Sequence, residues 1–467
     1  MVGTSTRFGL ETIASFAYHC VNVLVVFRHW QARMKIAIIG SGVSGLTAAY
    51  RLHRHHEIDV FESADYIGGH TNTVDVQVEG ERYAIDTGFI VFNDWTYPNF
   101  IEMLDEVGVE SKPTVMSFSV RDDATDLEYN GHSLRTLFVQ RRNLLRPRFY
   151  HLILDILRFN REAVRCAKKC SETTTVGQFL DQHRYSGVFA NQYLLPMGAA
   201  IWSCPTGTFA DFPIRFIVEF YQNHGLLSVT KRPTWRVISG GSRNYVAKLT
   251  EGFRDRIRLK TPIVKVTRSN DAVQIHTAAG EPRTFDHAIF ACHSDQALRI
   301  LGDSATKAER DVLSQFPYGR NIAVLHTDIS ALPRRRGAWA AWNYRVRPDS
   351  QCASVTYNMN LLQGIQSSQT FCVTLNDEDS IDPARVLRRF EYHHPIFTTN
   401  RSTAQKRHPE LINANQTSFC GAYWGNGFHE DGVNSALAVV RRLNPIGEIP
   451  SNRPEDEQHP CAAGVAP

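Results

Sequence analysis

The stretch that most limits how this chain can fold is MKIAIIGSGVSGLTAAYRLHRHHEIDVFES, which begins at Met34. Ile36, Ala37, Ile38 and Ile39 form a short continuous apolar run, the pattern of a parallel strand buried on both faces. Gly40, Gly42 and Gly45 follow in GxGxxG spacing, and Val43, Leu46, Ala49 and Leu52 then recur at helical intervals. The segment therefore reads strand, tight turn, helix. Gly40 permits the turn, Gly42 lets backbone amides approach a pyrophosphate, and Gly45 lets the helix pack closely on the strand, while the helix N-terminus faces the phosphate charge. A second strand, Ile58 to Phe61, closes on Glu62, about 20 residues beyond the glycine turn and placed to accept hydrogen bonds from a ribose. An acidic residue there argues against a 2′-phosphate. Glycine turns also arise for packing alone, but here strand, turn, helix, strand and terminal acid appear in order. They point to a bound dinucleotide without separating NAD from FAD.

The residues that make that separation lie further along. ESADYIGGHTNTV starts at Glu62, YAIDTGFIVFN follows, and TSFCGAYWGNGFHEDGVNSALAVV stands near the C-terminus. In this order and spacing they resemble the FAD-binding signatures of the flavin amine oxidase superfamily, which includes protoporphyrinogen oxidases and phytoene desaturases. The resemblance implies that FAD is held by Gly40, Gly42, Ser44 and Gly45, by Glu62 and Ser63, by Gly68, Gly69 and His70, and by Thr87 and Gly88. It implies Val264, in TPIVKVTRSNDAVQIHT, at the adenine, and Gly421, His429, Gly432 and Val433 near the flavin. It runs from Met34 to about Leu443. LLPMGAAIWSCP, YNMNLLQG, EYHHPIF and FCGAYWGNGFHEDGV are similar to a narrower bacterial group of FAD-binding proteins, often encoded beside cyclopropane-fatty-acid-synthase-like methyltransferases. That association implies lipid chemistry and a lipid-modifying methyltransferase as a partner.

The fold class implied is α/β, a Rossmann-like FAD-binding domain with an inserted α+β substrate domain of mixed sheet plus helices. The FAD signatures occupy 34–93, 236–295 and 411–443, so 94–235 and 296–410 are left for the substrate domain. The first of these insertions is helical in pattern, as in YPNFIEMLDEVGV and YHLILDILRFNREAVRCAKKC. The second carries strand-like runs, NIAVLHTDIS, CASVTYNMN and TFCVTLN. Residues 1–33 are apolar but interrupted by Glu11, His19 and Asn22, which reads as a leader with no fold role, with a weak membrane anchor as the alternative. Residues 444–467 are proline-rich and polar, the composition of a disordered tail.

With 467 residues, 43% hydrophobic and 21% charged, the chain can bury a core large enough for two domains, and a net charge of +4 does not indicate a nucleic-acid partner. Nine cysteines without a CxxC pair suit reduced thiols in a cytoplasmic setting. Cys166 and Cys170 stand one helical turn apart but have no second ligand pair, so no metal is expected.

The chemistry implied is hydride transfer from an apolar, lipid-like substrate to flavin N5. A redox-neutral double-bond isomerase and a flavin-binding partner subunit are the alternatives. Only one GxGxxG is present, so electrons leave to oxygen, a quinone or a carrier rather than to a second bound dinucleotide. Many amine oxidases of the superfamily place a lysine near N5, yet no lysine occurs between Lys307 and Lys406, which disfavours an amine substrate. Candidate acid and base groups are His224, Tyr357, Asn358, His393, His394, Trp424 and His429. His394 and Tyr357 stand foremost because both lie in blocks shared with the narrower group; a satisfied structural histidine is the competing reading. At the C-terminal helix, Asp431 as a cap beside an exposed His429 competes with a flavin-contacting role. LRTLFVQRRNLLRPRFYHLILDILRF mixes Arg135, Arg141, Arg142, Arg146 and Arg148 with leucines. It reads either as a peripheral segment on anionic lipid at the inner membrane face or as a core helix with a solvated basic edge. Pro147 should break it into two parts.

Overall fold

Five short parallel strands run in the order Ile257–Arg258, Glu57–Phe61, Lys35–Ile39, His287–Phe290 and Thr417–Phe419. The computed structural model that shows them describes residues 33–202, 204–228, 231–347 and 354–444, so the leader and the tail lie outside it. The central strand Lys35–Ile39 is covered on both sides. Ile36 and Ile38 pack with Leu46, Ala49 and Leu52 of helix Val43–Leu52 and with Val433, Leu437 and Val440 of helix His429–Leu443. Ala37 and Ile39 face the opposite way, onto Val266, Ile275 and Phe285 of a three-stranded antiparallel sheet and onto Ala297 and Leu301 of helix Ser294–Leu301. The period-two alternation of a strand thus feeds two cores.

A second, larger sheet has seven strands in the order Val386–Pro395, Tyr318–His326, Cys372–Leu375, Ser354–Asn358, Trp342–Val346, Phe118–Asp122 and Leu127–Asn130. It is antiparallel except where Trp342–Val346 meets Phe118–Asp122 in parallel, which makes it the mixed sheet that the α/β fold class calls for. Its apolar face, with Val355, Tyr357, Val373 and Leu325, packs against helices Pro147–Lys169, Leu195–Trp202 and Ile214–Asn223. Pro147 opens the first of these helices at its N1 position, where the missing N–H costs nothing, and a short 3-10 turn, Arg141–Leu145, precedes it.

The two sheets are joined at Asp86, which ends the hairpin Thr73–Val78/Glu81–Asp86. Its buried carboxylate accepts hydrogen bonds from Thr73 Oγ1 (2.5 Å), Ser242 N (2.9 Å), Ser242 Oγ (2.7 Å) and Gln363 Nε2 (3.1 Å). Ser242 follows Gly240 and Gly241, and Gln363 ends the helix Met359–Gln363 that leaves the larger sheet. Burial raises the Asp86 carboxyl to about 6, against the Thr73 and Ser242 donors and the nearby Arg243 charge.

Candidate functional site

Segments far apart in sequence meet at the start of helix Val43–Leu52. A Cβ on Gly45 would lie 2.0 Å from the Gly40 carbonyl oxygen, so only glycine lets the helix leave the strand at this angle. Gly42 differs: a Cβ there would meet nothing within 4 Å, because its face of the turn is open. A Cβ on Gly69 would come 3.2 Å from Gly42 Cα, and one on Gly88 would fall 2.2 Å from the His70 carbonyl oxygen. A Cβ on Gly432 would strike Val43 Cγ1 (2.7 Å) and Ser44 Oγ (2.9 Å), so the N-termini of helices Val43–Leu52 and His429–Leu443 converge. Gly421 is held nearby by Ser435 Oγ (2.9 Å), and Val433 is buried. Two helix N-termini and three glycine turns around one open backbone face form a site for a diphosphate and a polar ring.

Glu62 stands at the edge of this face and carries a load that its place in the sequence did not reveal. Its Oε2 accepts from Ser41 N (2.9 Å) and Ser41 Oγ (2.7 Å), and its Oε1 from Ala64 N (2.8 Å) and Ser63 Oγ (3.2 Å). The carboxylate therefore pins the glycine turn, and the two serine hydroxyls are the partners that can rotate away for a ribose. Main-chain bonds from Thr261 N to Glu62 O (2.8 Å) and from Glu62 N to Arg258 O (2.9 Å) bring in the strand Ile263–Arg268. That strand bulges between Ile263 and Lys265, leaving Val264 without a ladder partner and exposed.

His70 faces the second sheet. Its ring stacks on Tyr392 (5.1 Å between centroids) and lies near His394 (5.2 Å) and His293 (6.1 Å). Tyr392 Oη also bonds Asn72 Nδ2 (3.0 Å) and Thr87 Oγ1 (3.0 Å), so this tyrosine clasps both FAD-signature segments. Asn321 Nδ2 donates to His394 Nδ1 (2.9 Å), which leaves the ring proton of His394 on Nε2. Burial lowers His70 to about 4 and His293 and His394 to about 3, with the neighbouring histidines adding to the effect, so all three rings are neutral at pH 7. His70 Nε2 is a buried polar atom with no hydrogen-bond partner among the described residues.

Tyr357 is elsewhere. It lies on Ser354–Asn358, three strand spacings or about 14 Å across the sheet from the strand of His394, and its ring meets Trp342 edge-on within the apolar core. The structure therefore does not bring Tyr357 and His394 together. His429 is buried rather than exposed: its ring stacks on Phe89 (3.5 Å) and its Nε2 bonds Thr71 Oγ1 (3.0 Å). Asp431 does cap that helix, taking the Phe428 N–H (2.9 Å). Asn358 caps Met359–Gln363, His224 stacks on Phe220 (3.8 Å), and Trp424 stacks on His408 (4.1 Å). Tyr392, Asn321 and His293 were missed by reading the sequence. Strand alternation in EYHHPIF places Tyr392 and His394 on one face, and that was the available signal.

An FAD fits this set. The open face at Gly42, the bulged main chain at Val264 and the unpartnered His70 Nε2 are the groups that a pyrophosphate, an adenine and a further polar contact would use. Among the described residues no cluster of His, Cys, Asp and Glu could hold a metal ion.

Known proteins share this fold. Cyclohexylamine oxidase from Brevibacterium oxydans superimposes with a TM-score of 0.63 at 15% identity, over 88% of this chain and 100% of that one. A CLA-producing fatty acid isomerase from P. acnes gives a TM-score of 0.63 at 16% identity, over 89% of this chain and 99% of that one. At such identities the likeness is one of fold. In sequence, 79 residues are 37% identical to zeta-carotene desaturase of Solanum lycopersicum, a match that spans 17% of this chain and 13% of the desaturase. Residues 43–327 match the family of flavin containing amine oxidoreductases. That match, over more than half of its length, makes this chain a member of that family and an FAD-dependent oxidoreductase.

Proposed function

We propose that an apolar, lipid-like substrate carrying an acyl chain reduces the flavin of this enzyme. The supporting observation is a packed cluster of aromatic rings beside the first turn of helix His429–Leu443. Phe428, the residue before that helix, packs on Phe220 (5.2 Å) and Trp202 (6.5 Å), and Trp202 packs on Phe209 (5.8 Å) and Phe216 (5.3 Å). Phe397 joins at Phe216 (5.4 Å). These rings pack on one another at the edge of the larger core and form an apolar wall with few polar contacts, which suits a hydrocarbon chain lying against it. The cation in the cluster, Arg401, is sandwiched between Phe216 (3.8 Å) and Phe397 (4.3 Å) and donates to Gly425 O and Asn426 Oδ1. With Gln405, which donates to the Tyr423 and Gly425 carbonyls, it fixes the loop on the flavin side.

Bound FAD supplies the hydride acceptor. Glu62 offers oxygens to its ribose, the main chain at Gly42 and Gly69 faces its diphosphate, and His70 gives Nε2 as a polar contact. His394, held by Asn321 at Nδ1, offers an Nε2–H donor beside His70, a group that orients a polar end of the substrate. A lipid-modifying methyltransferase as partner belongs to the same proposal and is supported by sequence resemblance alone. The zeta-carotene desaturase match and the fold shared with a fatty acid isomerase are compatible with a lipid substrate.

The test is anaerobic mixing of holoprotein with fatty acyl lipids while the visible flavin bands are followed. Bleaching with a newly unsaturated product supports the proposal. A product isomer with the flavin unchanged at the end transfers the reading to a double-bond isomerase. Bleaching by mono- or polyamines, with no response to lipids, overturns it.

A further inference from the structure

We propose that residues 134–161, together with Arg334–Arg336, form a docking face for an anionic phospholipid bilayer. Among the described residues twelve large apolar side chains are exposed, and six of them, Leu134, Leu144, Leu145, Tyr150, Leu154 and Leu157, fall within this one segment. Single exposed leucines mean nothing, but a contiguous group does. Leu145 is 87% exposed, Leu134 76% and Leu154 63%. The helix Pro147–Lys169 has two apolar faces. Phe149, Leu152, Phe159 and Ala163 enter the core, whereas Tyr150, Leu154 and Leu157 recur at i, i+4 and i+7 on the uncovered side. A core helix with a solvated basic edge would need the first face only.

The parts of the surface are fastened to one another. Tyr150 Oη donates to Leu144 O (2.9 Å), and Phe138 packs on Phe149 (5.6 Å) and Tyr150 (6.3 Å). Arg142 and Arg334 both pair with Asp126, and a Cβ on Gly337 would meet Val139 at 2.8 Å, which brings the Arg334–Arg336 loop alongside.

The charge left unpaired on this surface is basic. Arg335 is paired with Glu128, Arg158 with Asp155 and Glu162, and Arg161 with Glu162, so the carboxylates here are engaged. Arg135, Arg141 and Arg148 make no ion pair among the described residues, and Arg336 lies over Trp339 instead. This charge pattern selects the occupant. In a symmetric pair of copies the same patch meets itself, setting arginine against arginine. A nucleic acid would answer the arginines and leave the leucines in water. An anionic bilayer takes both, phosphate headgroups at the guanidiniums and the acyl boundary at the leucines. The inference stands apart from the identity of the substrate.

Co-sedimentation of holoprotein with phosphatidylcholine vesicles, with and without phosphatidylglycerol, tests it. Binding is expected with phosphatidylglycerol only, and it should fall as salt is raised. Arg141→Gln and Arg148→Gln should each lower the partition coefficient about fivefold. Leu145→Glu with Leu154→Glu should abolish binding, while flavin absorbance and melting temperature stay at wild-type values because these side chains are exposed. Three outcomes overturn the proposal: no sedimentation with either vesicle, equal sedimentation of wild type and the leucine variant, or a concentration-dependent dimer that the leucine variant loses.

Discussion

The two sheets build their share of the site with different parts of the chain. Around the parallel sheet the candidate site is lined by main chain: the open face of Gly42, the turns at Gly69 and Gly88, and two helix N-termini. Beside the seven-stranded sheet it is lined by side chains: His394 set by Asn321, Tyr392 reaching Asn72 and Thr87, and the rings around Trp202. A main-chain site needs glycine at particular steps, so it is written locally. A side-chain site is assembled by register between distant strands, so no single stretch of sequence contains it.

Two glycines separate fold from ligand within the first kind of site, and they carry the largest expected effects. In Gly45→Ala the new methyl would overlap the Gly40 carbonyl oxygen, a backbone atom that cannot step aside, and we expect no folded, yellow protein. In Gly42→Ala the methyl has room in the protein, so FAD-free protein should melt as wild type does, while FAD affinity falls at least tenfold because the methyl occupies the diphosphate's path. Isothermal titration with FAD and thermal melts of stripped protein measure the two separately. Wild-type FAD affinity in Gly42→Ala would break the main-chain half of the comparison.

Glu62→Gln comes next, because here a side chain supports the main-chain site. The substitution keeps the shape but removes the charge that receives Ser41 N and Ala64 N, bonds of a class worth about 1.5–3 kcal/mol each. Both stability and FAD affinity should drop, unlike in Gly42→Ala, where affinity alone responds. A loss of affinity with unchanged melting of the stripped protein would confine Glu62 to the ribose.

What could be read in the sequence follows the same division. The strand Lys35–Ile39, the helix Val43–Leu52 and the helix Pro98–Glu106 lie where apolar period and glycine spacing put them. The three strand-like runs of the second insertion became Tyr318–His326, Ser354–Asn358 and Cys372–Leu375. His429 could not be judged, because the ring that stacks on it belongs to Phe89, more than 300 residues earlier. Tyr357 and His394 looked alike as conspicuous polar residues in strand-like blocks. Strand order alone separates them, since Tyr318–His326 and Cys372–Leu375 lie between.

The smallest expected effect compares one buried histidine from each sheet. His287 of the parallel sheet bonds Ser418 Oγ (2.9 Å), and His326 of the larger sheet bonds Thr374 Oγ1 (2.7 Å) and accepts from Asp328 N (3.1 Å). Burial lowers both from the ordinary 6.5 to about 4. Above pH 6.5 each ring is neutral whether the chain is folded or not, and its contribution is complete. As pH falls from 6.5 towards 4 the unfolded chain takes up a proton that the folded one refuses. Stability is then lost at up to about 1.4 kcal/mol per pH unit for each histidine. Asp86 and Asp431, raised by burial to about 6, act in the opposite sense, their contribution being full below about 4 and lost as pH rises through 6. The wild-type slope is therefore a difference, and single variants are needed to read it. His287→Gln and His326→Gln should both be less stable than wild type at pH 7.5, and the deficit should shrink as pH is lowered to 5. If the two sheets unfold as one cooperative unit, urea midpoints of a single transition shift by the same slope in both variants. If each variant changes only one of two resolved transitions, the sheets are independent folding units and the difference between them extends from how they bind to how they unfold. A deficit that stays constant with pH would mean that these rings titrate freely in the folded protein, against the burial that the structure gives them.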